Sequence, residues 1–205
     1  MIDMKCFVMG NGGTNCYVLT DSNKNCVIVD CEGDAGIFED YFDKNNIKPS
    51  YIILTHGHGD HISAVNEIKE KYGCKVCAGE KETRVLKDPT INLSCYMGGD
   101  VSITPDILLK DGETFTVGEM EFKVMYTPGH TEGSICLFIG DCILSGDTLF
   151  QGSCGRTDFE TGDMNAIIAS LKKLANINGD FKVFPGHGPS TTLEYERKNN
   201  PFMRV

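Results

Sequence analysis

Apolar positions along the chain gather into two stretches of short strands, each with helices attached. Met4 to Met9 alternates weakly and predicts a first strand, and Asn11-Gly12-Gly13 a turn after it. Asn15–Thr20 and Asn25–Asp30 predict two more strands, joined as a hairpin by the polar turn Asp21-Ser22-Asn23-Lys24. Over residues 34–46, Ile37, Phe38, Tyr41 and Phe42 fall on one side of a predicted surface helix. Tyr51-Ile52-Ile53-Leu54 is a compact apolar run between Pro49 and Gly57, which suits a buried strand. Ile62, Val65 and Ile68 then share one face of a helix predicted from Asp60 to about Tyr72. Lys75–Ala78 reads as a short strand and Glu80–Leu86 as a short helix. Residues 88–106 contain Asp88-Pro89, Gly98-Gly99 and Thr104-Pro105 and little periodicity, an irregular piece with the makings of a lid or rim.

The second stretch begins at Ile107. Strands are predicted at Ile107–Leu109, Phe115–Val117, Phe122–Tyr126, Ser134–Ile139 and Cys142–Ser145. Met164, Ile167, Ile168, Leu171 and Leu174 are in phase for a helix over Met164–Ala175, with Asp163 at its N-cap. A last strand is predicted at Phe181–Phe184, and Thr191-x-x-Glu194 reads as a capping box opening a C-terminal helix. No Pro/Gly/Ser linker separates the stretches. The natural architecture is one domain over residues 1–205, an α/β sandwich of two sheets back to back with helices outside.

Into this frame falls Thr55-His56-Gly57-His58-Gly59-Asp60-His61. Two-residue spacing in an extended segment puts the imidazoles of His56 and His58 on the same side. Gly57 and Gly59 allow a sharp turn, and Asp60 and His61 open the next helix. Imidazoles and a carboxylate suit Zn, Fe or Mn, and not a thiolate-type structural site. The chain has five histidines, and the remaining two, His130 and His187, also stand just past predicted strands, after Pro-Gly. Gly146-Asp147 follows the strand Cys142–Ser145 in the same way. Loops at one edge of a sheet scaffold are where sites are built. Asp30, at the end of the second hairpin strand, reads either as a turn or cap residue or as a support behind the metal ligands.

Composition narrows the partners. With 205 residues, 40% hydrophobic, the chain can bury a sizeable core. No apolar run reaches membrane-spanning length, and Met1-Ile2-Asp3-Met4-Lys5 lacks the look of a signal peptide, so a cytoplasmic protein is expected. A net charge of −10 with no basic patch argues against nucleic acid. Ten cysteines in an unexported chain predict reduced thiols acting as small hydrophobes, as at Cys16, Cys26, Cys136 and Cys142. Cys74-Lys75-Val76-Cys77 stands alone and reads as incidental cysteines at a strand start.

The set His56-x-His58-x-Asp60-His61, His130, Asp147 and His187 resembles the metallo-β-lactamase superfamily across nearly the whole chain. Gly146-Asp147-Thr148-Leu149-Phe150, Gly152-Ser153-Cys154-Gly155-Arg156-Thr157-Asp158 and Pro185-Gly186-His187-Gly188-Pro189 look most like its glyoxalase II-like, hydroxyacylglutathione hydrolase-like branch. The resemblance implies an αββα sandwich with two divalent metals, Zn first and Fe or Mn as alternatives. His56, His58 and His130 would hold one metal, Asp60, His61 and His187 the other, and Asp147 would bridge them. Asp60 and Asp147 are thereby the candidate catalytic carboxylates. Where family members often show Asp-Pro-Gly, this chain has Asp30-Cys31-Glu32. With Val205 soon after His187, the C-terminal glutathione-binding helices of full-length glyoxalase II are expected to have no counterpart here. Gln151 is uncharged in a loop where a basic residue would grip an acidic substrate.

The implied chemistry is hydrolysis of a small thioester or ester, such as S-D-lactoylglutathione, by a metal-bridging hydroxide. Such a route needs no Ser or Cys nucleophile, so Cys154 is assigned a packing or loop role. Arg156 is a candidate for a substrate carboxylate or, more simply, a partner of Asp158. The rival is a persulfide dioxygenase, an oxidoreductase on the same fold with one iron. A lactonase or a non-catalytic metal-binding protein ranks behind both.

Overall fold

The computed structural model describes residues 2–204 and resolves the two stretches of strands into two sheets. The first is built from β1 (Asp3–Met9), β2 (Thr14–Thr20), β3 (Asn25–Val29), β4 (Lys48–Leu54), β5 (Lys75–Gly79) and β6 (Ile107–Leu109), side by side in chain order. Between β3 and β4 runs α1 (Ala35–Asn45). Between β4 and β5 lie α2 (Gly59–Ile62) and α3 (Val65–Tyr72), and after β5 comes α4 (Thr83–Lys87). The β1–β2 and β2–β3 pairs are antiparallel hairpins, whereas β3 to β6 pair in parallel through these helical crossovers. Strands covered on both faces carry continuous apolar runs, which is why Tyr51–Leu54 lacks alternation.

The second sheet contains β7 (Thr114–Val117), β8 (Met120–Tyr126), β9 (Ile135–Ile139) and β10 (Cys142–Gly146). A small separate ribbon follows, β11 (Leu149–Phe150) with β12 (Ser153–Cys154). After α5 (Met164–Ala175) come β13 (Lys182–Pro185), β14 (Thr191–Thr192) and α6 (Leu193–Asn199). In space the order is β14-β13-β10-β9-β8-β7, with only β10–β13 parallel.

Three apolar layers hold the assembly. Between the sheets, Tyr17, Val27, Val29 and Ile53 meet Phe122, Val124, Leu137 and Leu144. The alternate positions Cys26, Ile28, Ile52 and Val76 point outward and are covered by Phe38, Phe42, Val65, Ile68 and Leu86 of the first helical layer. Outside the second sheet, Ile143 and Val183 pack on Leu171, Leu174 and Leu193. These layers are the αββα sandwich, with the period of two along each strand sorting side chains into them.

Several local expectations change. The helix expected over Asp60–Tyr72 is two helices, because backbone groups from the β3–α1 connection enter its ladder. Cys31 N–H donates to His61 O at 2.8 Å, and Ala64 N–H donates to Cys31 O at 3.0 Å. Ile37 is 44% exposed, so the buried stripe of α1 is Ala35, Phe38 and Phe42. Met164 is likewise exposed, at the first position of α5. The capping box does not close, because Thr192, not Thr191, is the N-cap of α6, and its hydroxyl accepts from Tyr195 N–H at 3.2 Å. Thr191 instead donates to Glu196, and Glu194 N–H donates to Asp180. Residues 88–106 form an ordered rim. Buried Asn92 accepts Gly59 N–H through its carbonyl at 2.7 Å and donates its amide to Val101 O at 2.8 Å.

Candidate metal centre

Every candidate donor sits where a strand ends. His56 and His58 lie on the connection between β4 and α2, and Asp60 and His61 lie in α2 itself. His130 follows β8, Asp147 follows β10 and His187 follows β13. Folding brings all seven together. One donor atom from each of His56, His58 and His130 lies within 4.8 Å of the others, as does one from each of Asp60, His61 and His187. Asp147 lies between these groups: Oδ1 is 3.5 Å from His61 Nε2, and Oδ2 is 3.5 Å from Nε2 of both His130 and His187. The approach requires Gly186, where a Cβ would stand 2.2 Å from Asp147 Oδ1 and 2.7 Å from His61 Cε1.

Partners behind the rings fix the tautomers. His130 Nδ1 donates to Arg156 O at 2.8 Å and His187 Nδ1 donates to Gly12 O at 3.1 Å, so both present a bare Nε2 to the centre. Asp30 Oδ2 accepts from His61 Nδ1 at 2.9 Å and from the Thr55 hydroxyl at 2.7 Å, and Oδ1 accepts from Thr55 N–H at 2.8 Å. With its hydrogen used on Asp30, Thr55 Oγ1 is an acceptor for His56 Nδ1, 3.2 Å away. His58 differs, its Nδ1 facing His130 Nε2 at 2.8 Å. Asp30 holds this position from a backbone φ of 56°. That conformation is uncommon for a residue with a side chain.

The donor set fits a metal. His56 Nε2, His58 Nε2 and Asp147 Oδ1 are buried without a hydrogen-bond partner. Each such orphan costs about 1–3 kcal/mol, a cost that a bound cation removes. Burial holds His56 neutral and pushes His58 down to about 3, with His130 adding to the effect. Burial also lowers His130. For His61, burial is outweighed by the carboxylates of Asp30 and Asp147, which push it up to about 10.

A cleft of about 460 Å³ opens over the donors, walled by Leu93 and Met97 of the rim, by Phe150, Cys154 and Phe159, and by Arg156. The Arg156 side chain binds both oxygens of Asp158, at 2.6 Å each, and lies 4.1 Å over the Phe159 ring. Partial burial raises the Cys154 thiol, which argues against a thiolate nucleophile there. The Cys-x-x-Cys pair is no chelate: Cys74 is in the outer apolar layer and Cys77 in the layer between the sheets. All ten cysteines are unpaired.

Four contributors escaped the sequence reading. Thr55 carried a signal, a hydroxyl at a strand end immediately before a histidine. Phe150 and Phe159 had none beyond lying in the Gly-rich segments. Glu82 had none either. It is buried, accepting Gly57 N–H at 2.7 Å and the Thr131 hydroxyl at 2.9 Å.

A nitrogen- and oxygen-donor cluster at the strand ends of an αββα sandwich defines a class of metal-binding proteins. The chain belongs to the metallo-β-lactamase superfamily, whose sequence pattern matches residues 9–187. It is 34% identical to the probable metallo-hydrolase YqgX of Bacillus subtilis, over 92% of each chain. It is 30% identical to the hydroxyacylglutathione hydrolase GloC of Haemophilus influenzae, again over 92% of each. Among solved structures, the BLEG-1 B3 metallo-beta-lactamase superposes with a TM-score of 0.92 at 35% identity, covering 99% of this chain and 100% of that one. TTHA1623 in a di-iron-bound form gives 0.87 at 30% identity, covering 97% and 99%. ETHE1 from Myxococcus xanthus gives 0.77 at 25% identity, covering 97% and 83%. Among the described residues no helix is long and apolar enough to cross a membrane.

Proposed function

We propose that this protein is a binuclear metal-dependent hydrolase of small thioesters or esters, with S-D-lactoylglutathione as the representative substrate. The observation that carries this reading is the convergence of seven buried or half-buried donors, three with orphaned atoms, beneath a cleft of substrate size. Identity to a hydroxyacylglutathione hydrolase along nearly the whole chain supports the thioester. His56, His58 and His130 would hold one ion, Asp60, His61 and His187 a second, and Asp147 is placed to serve both. Divalent metals supply, when bound, Lewis-acid activation of water and of the carbonyl. The donor chemistry suits zinc, and the di-iron form of TTHA1623 supports iron as the alternative.

The chain's own residues do the rest. Asp30 and Thr55 hold His61 and His56 in one tautomer and one orientation. Phe159, which meets the His58 ring edge-on at a centroid distance of 5.5 Å, and Phe150 shield the donors from bulk water. A thiolate leaves without needing a proton from the protein, and no acidic donor is required beside the cleft. The partner is a small molecule. Ten unpaired cysteines support a reducing compartment, and we place the enzyme in the cytoplasm.

The test is hydrolysis of S-D-lactoylglutathione by protein loaded with Zn, Fe or Mn, beside a panel of esters and lactones. Turnover of thioesters by metal-loaded protein alone is expected; turnover by metal-free, folded protein contradicts the reading. Similarity to ETHE1 and the run Gly155-Arg156-Thr157-Asp158 favour a second reading, oxygen-dependent oxidation of a persulfide at one iron. Oxygen consumption with glutathione persulfide separates the two.

A further inference from the structure

Glu82 lies behind the centre and contacts two of the loops that carry its donors. It ends the short 3-10 turn Glu80–Glu82 between β5 and α4, and it is fully buried. Its two oxygens are divided between two loops that are far apart in sequence. Oε1 accepts the N–H of Gly57, the residue between His56 and His58, at 2.7 Å. Oε2 accepts the hydroxyl of Thr131, the residue after His130, at 2.9 Å. The Thr131 hydroxyl also lies 2.6 Å from Ser134 Oγ, and Ser134 Oγ accepts Thr131 N–H at 3.1 Å, which closes the His130 loop on itself. Space for the carboxylate is reserved at Gly133, where a Cβ would stand 2.5 Å from Oε2.

Packing alone does not call for this residue. Burying a carboxylate costs several kcal/mol unless its oxygens are well satisfied, and an apolar side chain fills the same space without that cost. What a carboxylate adds is two acceptors about 2 Å apart, each holding one loop. Those loops carry the three histidines of one side, and their meeting is tight, with His58 Nδ1 and His130 Nε2 2.8 Å apart. A metal centre tolerates only about 0.5 Å of error in its donors. A small drift of either loop therefore lowers affinity.

We propose that Glu82 is a positioning residue for the three-histidine side, setting the distance between the His56–His58 loop and the His130 loop, and through it the affinity for one of the two metals. The inference rests on the reading that these histidines hold a metal. Glu82 itself touches neither donors nor cleft.

The test uses the full chain, stripped with a chelator and titrated with Zn²⁺ or Co²⁺ against a chromophoric competitor. Glu82→Gln keeps an acceptor for Gly57 but turns an amide N–H₂ toward Thr131 and the crowded N–H of Gly133. Glu82→Asp is one carbon too short to hold both loops. Each is expected to weaken one of the two bound metals by about 10–100-fold and to leave the other unchanged, with an altered Co²⁺ absorption spectrum. Thr131→Val, which removes only the hydroxyl, is expected to show a smaller loss at the same metal and serves if the Glu82 variants do not fold. Leu174→Ala, in the buried layer outside the second sheet, is expected to lower stability with both affinities intact. Folded Glu82 and Thr131 variants with wild-type affinities overturn the inference alone, as does an equal affinity loss in Leu174→Ala. A wild-type chain that binds no metal overturns the functional reading and the inference together.

Discussion

The two sides of the centre are built on different principles, although one loop feeds both. On the first side, His56, His58 and His130 are each no more than 3% exposed and are held neutral by burial. Their supports are a hydroxyl, a main-chain carbonyl and the remote clamp of Glu82. On the second side, the Asp60 and His187 side chains are 22% and 25% exposed, and His61 leans on the carboxylate of Asp30. The first side is a closed pocket of neutral donors, the second an open one compensated by acids. A closed side fixes a metal, while an open side can admit water and substrate to it.

The comparison breaks most completely at the residue that belongs to both sides. Asp147→Ala is expected to lower thioester hydrolysis by about a thousandfold or more, as several kcal/mol of charge stabilisation is lost, and to lower metal content at both sides. Steady-state kinetics with metal analysis of the same sample checks it.

Next in size is a pH effect on the first side's support. Burial, opposed by hydrogen bonds from Thr131, Gly57 and Gly133, pushes the Glu82 carboxyl from its ordinary 4.5 up to about 7. The folded state thus holds this proton more tightly than the unfolded chain. Stability of the metal-stripped protein is expected to fall as pH rises from 4.5 to 7 and to level off above, by on the order of 3 kcal/mol from this group. Denaturant unfolding of wild type and Glu82→Gln across that range reads the difference, because the variant lacks this component of the slope.

The second side is probed through its acid. Asp30→Asn disrupts the bonds to His61 and Thr55 and is expected to reduce metal affinity or activity by about 10–100-fold, with the loss at the Asp60–His61–His187 side. The smallest effect is expected at Arg156. It orients His130 through its main-chain carbonyl, and its exposed side chain pairs with exposed Asp158 and lies over the Phe159 ring. Arg156→Ala should leave metal content unchanged and shift stability by no more than about 0.5 kcal/mol. A raised KM without loss of metal would assign the guanidinium to substrate.

Much of this centre was legible in the sequence because short-range grammar creates it. A strand that ends in His-x-His before a helix, or in Pro-Gly-His, announces both a position and a chemistry. Asp30 was visible for the same reason, as an acid at a strand end. Glu82 was not, since an acid at the start of a short helix is solvated by default, and only the folding of two distant loops over it makes it buried. The break in the helix after Ile62 was hidden for a related reason: its cause, Cys31, lies about thirty residues upstream. The β11–β12 ribbon has strands of two residues, too short for any period to register.

Two metals serving one hydrolytic centre can be counted directly in a single titration. Stripped protein is reloaded stepwise with Zn²⁺ while bound metal and S-D-lactoylglutathione hydrolysis are followed in the same sample. The expected result is activity that appears only with metal and reaches its plateau at two ions per chain. Full activity in the metal-free, folded protein, or a plateau at one ion with no second binding event, would contradict it.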